Sequence, residues 1–242
     1  MTLPHERSRN HLLMSLPDDA WNRIALMLES IRLPAHQALE THGRDVEWIY
    51  FVESGIASVI TESAAGDQVE SGIVGRDGMT GPGVALGDGT CAQTVVVQIA
   101  GSALRAPVPD FRKALEDSAS LRAQALLFAR AFAIQTAHTA LANGAGVLEQ
   151  RLARWLLMLH DRLDGDVLAI THDYIAIMLS VRRPGVSVAL KELEGKGLIR
   201  SRRGAIEIVD RGGLLERSGG LYGRTEEEYR RLLGWRSARI AD

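Results

Sequence analysis

The chain is poor in the residues on which several kinds of chemistry depend. Its 242 residues include one cysteine, Cys91. A single thiol excludes an internal disulfide, a four-cysteine zinc site and a cysteine-ligated iron–sulfur cluster. No run approaches the ~20 apolar residues that a membrane-spanning helix needs. The opening Met-Thr-Leu-Pro-His-Glu-Arg-Ser-Arg-Asn lacks the apolar core of a secretory signal, so a reducing cytoplasm is the expected compartment. The seven histidines, His5, His11, His36, His42, His138, His160 and His172, show no His-Glu-x-x-His spacing. There is no Gly-x-Ser-x-Gly elbow and no phosphate-binding loop. His160-Asp161 reads as a helix-end pair rather than a catalytic dyad. No enzyme activity, no metal and no cofactor are expected.

What remains is an ordinary folded composition, 46% hydrophobic and 24% charged, far from that of a disordered chain. The 28 Lys and Arg nearly balance the 30 Asp and Glu, but unevenly along the chain. From residue 147 onward there are 17 basic and 14 acidic residues, against 11 and 16 before it. Residues 182–203 hold seven cations (Arg182, Arg183, Lys191, Lys196, Arg200, Arg202 and Arg203) and two acids, Glu192 and Glu194. A cationic patch in a neutral protein points to a polyanion on one face.

The organisation follows from periodicity. Residues 10–29 read as helical: Leu12, Leu13 and Leu16 lead to Pro17-Asp18-Asp19, a helix start, and Trp21, Ile24, Ala25 and Leu28 recur at helical steps. Residues 31–108 hold short β-rich runs, Trp48–Val52, Ile56–Ile60, Val69–Val74 and Thr94–Ile99, punctuated by glycines. Such runs predict an antiparallel sandwich or barrel. Residues 110–142 lack glycine and proline and predict one long helix of roughly 30 residues. In it Leu127, Ala131, Ile134, His138 and Leu141 alternate four- and three-residue steps, the seam of a two-stranded coiled coil. Asn143-Gly-Ala-Gly146 reads as a hinge, followed by a helix bearing Val147, Leu148, Leu152, Trp155, Leu156 and Leu159.

Residues 171–199 carry the functional signal. Thr171 caps a short helix, about 172–179, with Asp173 in its first turn. Ser180-Val181-Arg182 forms a turn. A second helix runs from about Arg183 to Glu194, with Pro184 in its first turn and Gly195 and Gly197 at its end. Ala176, Val181 and Val186 fill the angle between the two helices. This is a helix-turn-helix, and it predicts that the second helix enters a DNA major groove. Val186, Leu190 and Leu193 face inward. Arg182, Arg183, Ser187 and Lys191 share the outer face or its entry. Leu198-Ile199, a tight turn over Ser201–Gly204 and Ala205–Val209 then make a β-hairpin with Arg202 and Arg203 at its tip. The expected DNA-binding set is Thr171, Arg182, Arg183, Ser187, Lys191, Arg202 and Arg203.

The order of helix, glycine-rich β-region, long helix and winged helix-turn-helix resembles the Crp/Fnr family of bacterial transcription regulators. The Thr171–Ile199 block and the wing carry most of the likeness. Tyr50–Gly55 looks like the family's strand-turn-strand signature, and Gly78–Gly83 with Thr90–Val97 occupies the place of its phosphate-binding cassette. The resemblance implies an α+β fold with an N-terminal antiparallel β-roll over residues 1–109. It implies a dimerisation helix over 110–143, a winged helix-turn-helix over 144–224 and a tail over 225–242. It also implies a homodimer on a roughly palindromic double-stranded operator, RNA polymerase as a partner, and Arg183 as the guanine reader. An effector pocket would involve Gly81, Pro82, Gly83, Ala92, Gln93 and Thr94. The family's cAMP-binding members carry Gly-Glu and Arg-Ser/Thr pairs there. This chain has Pro82 at the glutamate position and Cys91-Ala-Gln-Thr94 in the arginine region, so cAMP is not the expected effector. The acid common after the key arginine is Pro184 here. The tail begins with Thr225 and Glu228 at capping-box spacing.

Overall fold

The computed structural model describes residues 8–235 and Ser237. His5, the rest of the opening segment and the remainder of the tail lie outside the described residues. Two helices, α1 (His11–Met14) and α2 (Asp18–Ala25), open the fold. The antiparallel strands β1 (Glu29–Leu33), β2 (Ala38–Glu40), β3 (Trp48–Glu62), β4 (Gln68–Val74) and β5 (Thr94–Pro107) follow, with the four-residue helix α3 (Pro82–Ala85) between β4 and β5. They form one sheet in the order β1-β5-β3-β4, with β2 also on β5. β1 and β2 were not foreseen. Both are short and largely exposed, and neither alternates strongly enough to read as a strand.

The two runs expected on either side of Gly55 are a single strand. β3 crosses Gly55 without turning and slips register against β5 between Val52 and Ala57. Gly55 holds φ +83°, and a Cβ there would strike the carbonyls of Ile99 and Ala100. The glycine therefore serves a bulge inside a paired strand, not a turn.

The sheet buries both faces. Val59, Val74, Val95 and Val97 join a first core with Phe51, Phe111 and Phe128. Ile56, Ile60, Ile73 and Ile99 join a second core made by the C-terminal helices. The side-chain alternation of a strand puts adjacent residues such as Val59 and Ile60 into different cores.

The expected single long helix is two. α4 (Val108–Asp117) ends at Ser118, and α5 (Ala119–Ala145) begins there. Ser118 has extended dihedrals and its hydroxyl accepts from the Leu121 N–H at 3.3 Å. A serine gains more as an N-cap than inside a helix, and the break lets α4 bury Phe111, Ala114 and Leu115. At the other end α5 runs through Gly144 and stops at Gly146. α6 (Leu148–Arg162) follows.

Buried polar groups tie α6 to the sheet. Glu70 of β4 accepts from the Trp155 indole N–H at 2.6 Å and from the Ser58 hydroxyl at 2.5 Å. Burial pushes the Glu70 carboxyl up to about 7, against the hydrogen bonds from Ser58 and Trp155 and the charges of Arg154 and Arg162. Arg162, 1% exposed, pairs with the fully buried Asp77 at 2.7 Å.

The chain then forms β6 (Val167–Leu168), α7 (His172–Met178), α8 (Arg183–Gly195), β7 (Ile199–Arg202), β8 (Ala205–Ile208), α9 (Arg211–Arg217) and α10 (Arg224–Leu233). α10 returns to the first core. Tyr229, Leu233 and Trp235 are buried in it, and the Tyr229 hydroxyl accepts from Gln135 of α5 at 2.9 Å. The cap of α10 is Gly223, whose N–H donates to Glu226 at 2.8 Å. Thr225 is a buried residue of the first turn, not the expected cap. No helix among the described residues is long and apolar enough to cross a membrane.

Candidate nucleic-acid interface

The helix pair forms where local chemistry dictates. Thr171 caps α7, its hydroxyl accepting from the Tyr174 N–H at 3.3 Å. Ile175 and Met178 face inward. The turn passes through Ser180 at φ +49°, and Arg151 of α6 donates to the Leu179 carbonyl. α8 starts with Arg183 and Pro184 in its first turn, where proline's missing N–H costs little. It buries Val186, Ala189, Leu190 and Leu193 at helical spacing. Gly197 takes φ +72° after it. The wing is β7–β8, closed by Arg203-Gly204 with Gly204 at φ +73°. That two-residue turn is tighter than the expected four-residue one, and Ser201 lies in the strand. β6 adds a third strand on β8.

Three elements converge on one cleft. It has a volume of about 460 Å³ and is lined by Thr171, His172 and Asp173 before and in α7, Arg183 of α8, and Ser201–Gly204 of the wing. Four of the seven expected DNA-binding residues, Thr171, Arg183, Arg202 and Arg203, therefore share a site. Arg182, Ser187 and Lys191 do not line it. Arg182 is the exposed N-cap of α8, and Lys191 is exposed two turns along. The Ser187 hydroxyl lies 3.3 Å from the Arg183 carbonyl and 3.5 Å from His172 Nδ1.

The cations are held loosely. Arg183 lies 3.1 Å from Asp173, with both side chains about two-thirds exposed. Such a pair is worth little in water, so the arginine is available to a polyanion. Arg200 and Arg202 share Glu207 at 3.2 and 2.6 Å. Arg203 makes no ion pair among the described residues. Sequence reasoning missed His172, Asp173, Ser201 and Gly204 as cleft residues. The only signal was their position near Thr171 and Arg202.

The other two expected sites are placed differently. Gly81, at φ +63°, precedes α3, which starts with Pro82 and Gly83. The Ala92 carbonyl lies 2.9 Å from His42 Nδ1, and Thr94 Oγ1 accepts from the His42 N–H at 3.2 Å. The cleft on this side of the sheet, of about 600 Å³, is lined by Ala38–Thr41, Arg44, Asp45, Glu47, Trp48 and Tyr50. None of Gly81, Pro82, Gly83, Ala92, Gln93 and Thr94 lines it. On α5, Ala131 has no exposed surface and belongs to the first core. Leu127, Ile134 and His138 are half-buried, and Leu141 is exposed. An exposed stripe also runs through Ala123, Leu126, Arg130, Ala133, Ala137 and Ala140. The Gln135 side chain accepts from the Ile73 N–H at 2.7 Å, and this side of α5, with Phe128 and Ala131, faces the protein's own interior.

The arrangement is a winged helix-turn-helix attached to an antiparallel β-roll by a long helix. Residues 150–217 match the family model of the Crp-like helix-turn-helix domain. Several solved structures have the same fold. A transcriptional regulator of the Crp/Fnr family from Eubacterium rectale is 18% identical, with a TM-score of 0.67 over 86% of this chain and 98% of that one. FixK2 from Bradyrhizobium japonicum is 16% identical, with a TM-score of 0.68 over 78% and 96%. A CRP-family transcriptional regulator from Thermus thermophilus is 20% identical, with a TM-score of 0.63 over 78% and 97%. No curated protein matches the chain. The chain thus carries a Crp-like helix-turn-helix domain within the fold of Crp/Fnr-family transcriptional regulators.

Proposed function

We propose that this protein is a sequence-specific regulator of transcription that binds double-stranded DNA as a homodimer. The observation that carries the reading is the convergence of Thr171, Arg183, Arg202 and Arg203 on one cleft. α8 lies in the major groove, with Arg183 aimed at a guanine edge and Lys191 at phosphate. Arg202 and Arg203 meet the flanking backbone. Two copies pair along the outward stripe of α5, whose Ala133, Ala137 and Ala140 permit close approach. The paired recognition helices then meet a roughly palindromic operator, and RNA polymerase is the machinery on which the bound dimer acts.

The β-roll is the sensor of this regulator, and its signal is not cAMP. Cys91–Thr94 supplies no cation for a cyclic phosphate, and Pro82 stands where a ribose-binding glutamate would be needed. Calorimetric titration with cAMP should give no heat; micromolar binding would overturn that part. A different small-molecule effector is the second reading, favoured by the cleft at Glu40 and Tyr50. Operator selection from random duplexes, followed by binding in a salt series, tests the main reading. One enriched inverted repeat supports it, and a purified chain that enriches no common sequence refutes it.

A further inference from the structure

α8 exposes one large apolar side chain. Val188 keeps 56% of its surface. It lies opposite Val186, Ala189, Leu190 and Leu193, which the second core uses. Its own chain therefore gives it little to pack against. Helix propensity does not explain it either, since a β-branched residue inside a helix is somewhat worse than alanine. Pro184, Val188 and Lys191 stand at i, i+4 and i+7, so they form one row along the outer face. All three are exposed, the exposed Glu192 stands beside Lys191 and lies 3.9 Å from Arg217 of α9, and Arg183 opens the helix one residue before Pro184. A protein partner would meet a single large apolar group on a helix whose entry and outer face carry the cations Arg182, Arg183 and Lys191. A major groove offers those cations phosphate and guanine, and it also presents one apolar group of its own, the 5-methyl of thymine.

We propose that Val188 is a specificity-determining residue that closes on a thymine methyl in the major groove. This rests on the DNA-binding reading above and deepens it. Arg183 selects a guanine, and Val188, a little more than one turn further, selects a thymine.

The test uses the full-length protein and the duplex it selects. Each thymine of that duplex is replaced in turn by deoxyuridine, which removes the methyl group and leaves every hydrogen-bonding edge intact. Affinities are measured for the wild type and for Val188→Ala, a change at an exposed helical position that folding tolerates. At one thymine position the wild type should lose roughly fourfold on loss of the methyl, the worth of one buried carbon. Val188→Ala should bind both duplexes equally. If no thymine is sensitive, or if Val188→Ala keeps the wild-type ratio, the assignment to Val188 falls while sequence-specific binding stands. If no common duplex is selected at all, the DNA-binding reading fails and takes this inference with it.

Discussion

Arg183 and Glu70 show what single side chains do in this fold. Among the described residues Arg183 pairs only with the exposed Asp173, so removing it costs the folded protein little. Arg183→Ala should weaken operator binding by at least roughly 30-fold, the loss of about 1–3 kcal/mol for each of the two bidentate base contacts that a dimer makes. Binding to unrelated duplexes should fall far less, because that is set by the summed phosphate contacts. Equal losses in competition binding would refute base reading by this residue. Glu70 is the opposite case, a carboxyl whose partners all lie inside the protein. Its folded value of about 7 stands above its ordinary 4.5. The folded state therefore holds the proton more tightly, and stability is lost as pH rises from about 4.5 to about 7. The shift corresponds to roughly 3 kcal/mol. Glu70→Gln can still accept from Trp155 and keeps no charge to bury. Chemical denaturation should show the wild type losing stability over that window and the variant losing markedly less. Parallel curves for the two would contradict the assignment.

The helices and strands differ in how much of them could be read from sequence, and the reason is locality. α7, its turn and α8 were legible because their determinants lie within a few residues: Thr171 as cap, Pro184 in the first turn, Gly197 beyond the end, and inward Val186, Leu190 and Leu193. The wing was legible for the same reason. α5 was not. Alanine occurs around its whole circumference, so apolar spacing selects a face only weakly, and the inward side is set by Leu121, Ala125 and Phe128 in the first core together with Gln135, which bonds both Ile73 and Tyr229. Ser118 was passed over because a lone serine does not oblige a helix to break. The tail was the largest omission. As a sequence it reads as a short charged helix, and nothing local says that Tyr229 and Trp235 enter the first core. They stand edge-on to each other at 5.8 Å between ring centroids, with the Arg162 guanidinium 5.2 Å from the Trp235 ring. Tyr229→Ala should therefore destabilise the protein by roughly 3–5 kcal/mol, as large-to-small changes of buried aromatics do. A loss of unfolding free energy below about 0.5 kcal/mol in chemical denaturation, the scale of an ordinary surface substitution, would show that the tail is dispensable. On the outward stripe of α5, Ala137→Glu should leave the monomer folded and prevent pairing. Sedimentation that still shows a dimer would move the interface elsewhere.

At the scale of the whole molecule, the sheet is the shared floor of two cores. α6 stands on it through Trp155–Glu70 and Arg162–Asp77, and α10 returns to it after the winged helix. The DNA-binding elements are thus anchored to the β-roll at both their beginning and their end. On the sensor role proposed above, a signal in the sheet would reach α7 and α8 through α6 and its contacts Trp155–Glu70 and Arg162–Asp77. Movement of the recognition helices should accordingly require these buried contacts to shift.

The most direct measurement is the affinity of the purified protein for its selected operator and for a scrambled duplex across a salt series. Lys and Arg contacts to phosphate displace counterions, so both affinities should fall steeply and linearly on logarithmic axes. At every salt concentration the operator should bind more tightly, by at least about 1000-fold. Equal affinity for the two duplexes, or affinity indifferent to salt, would contradict the account.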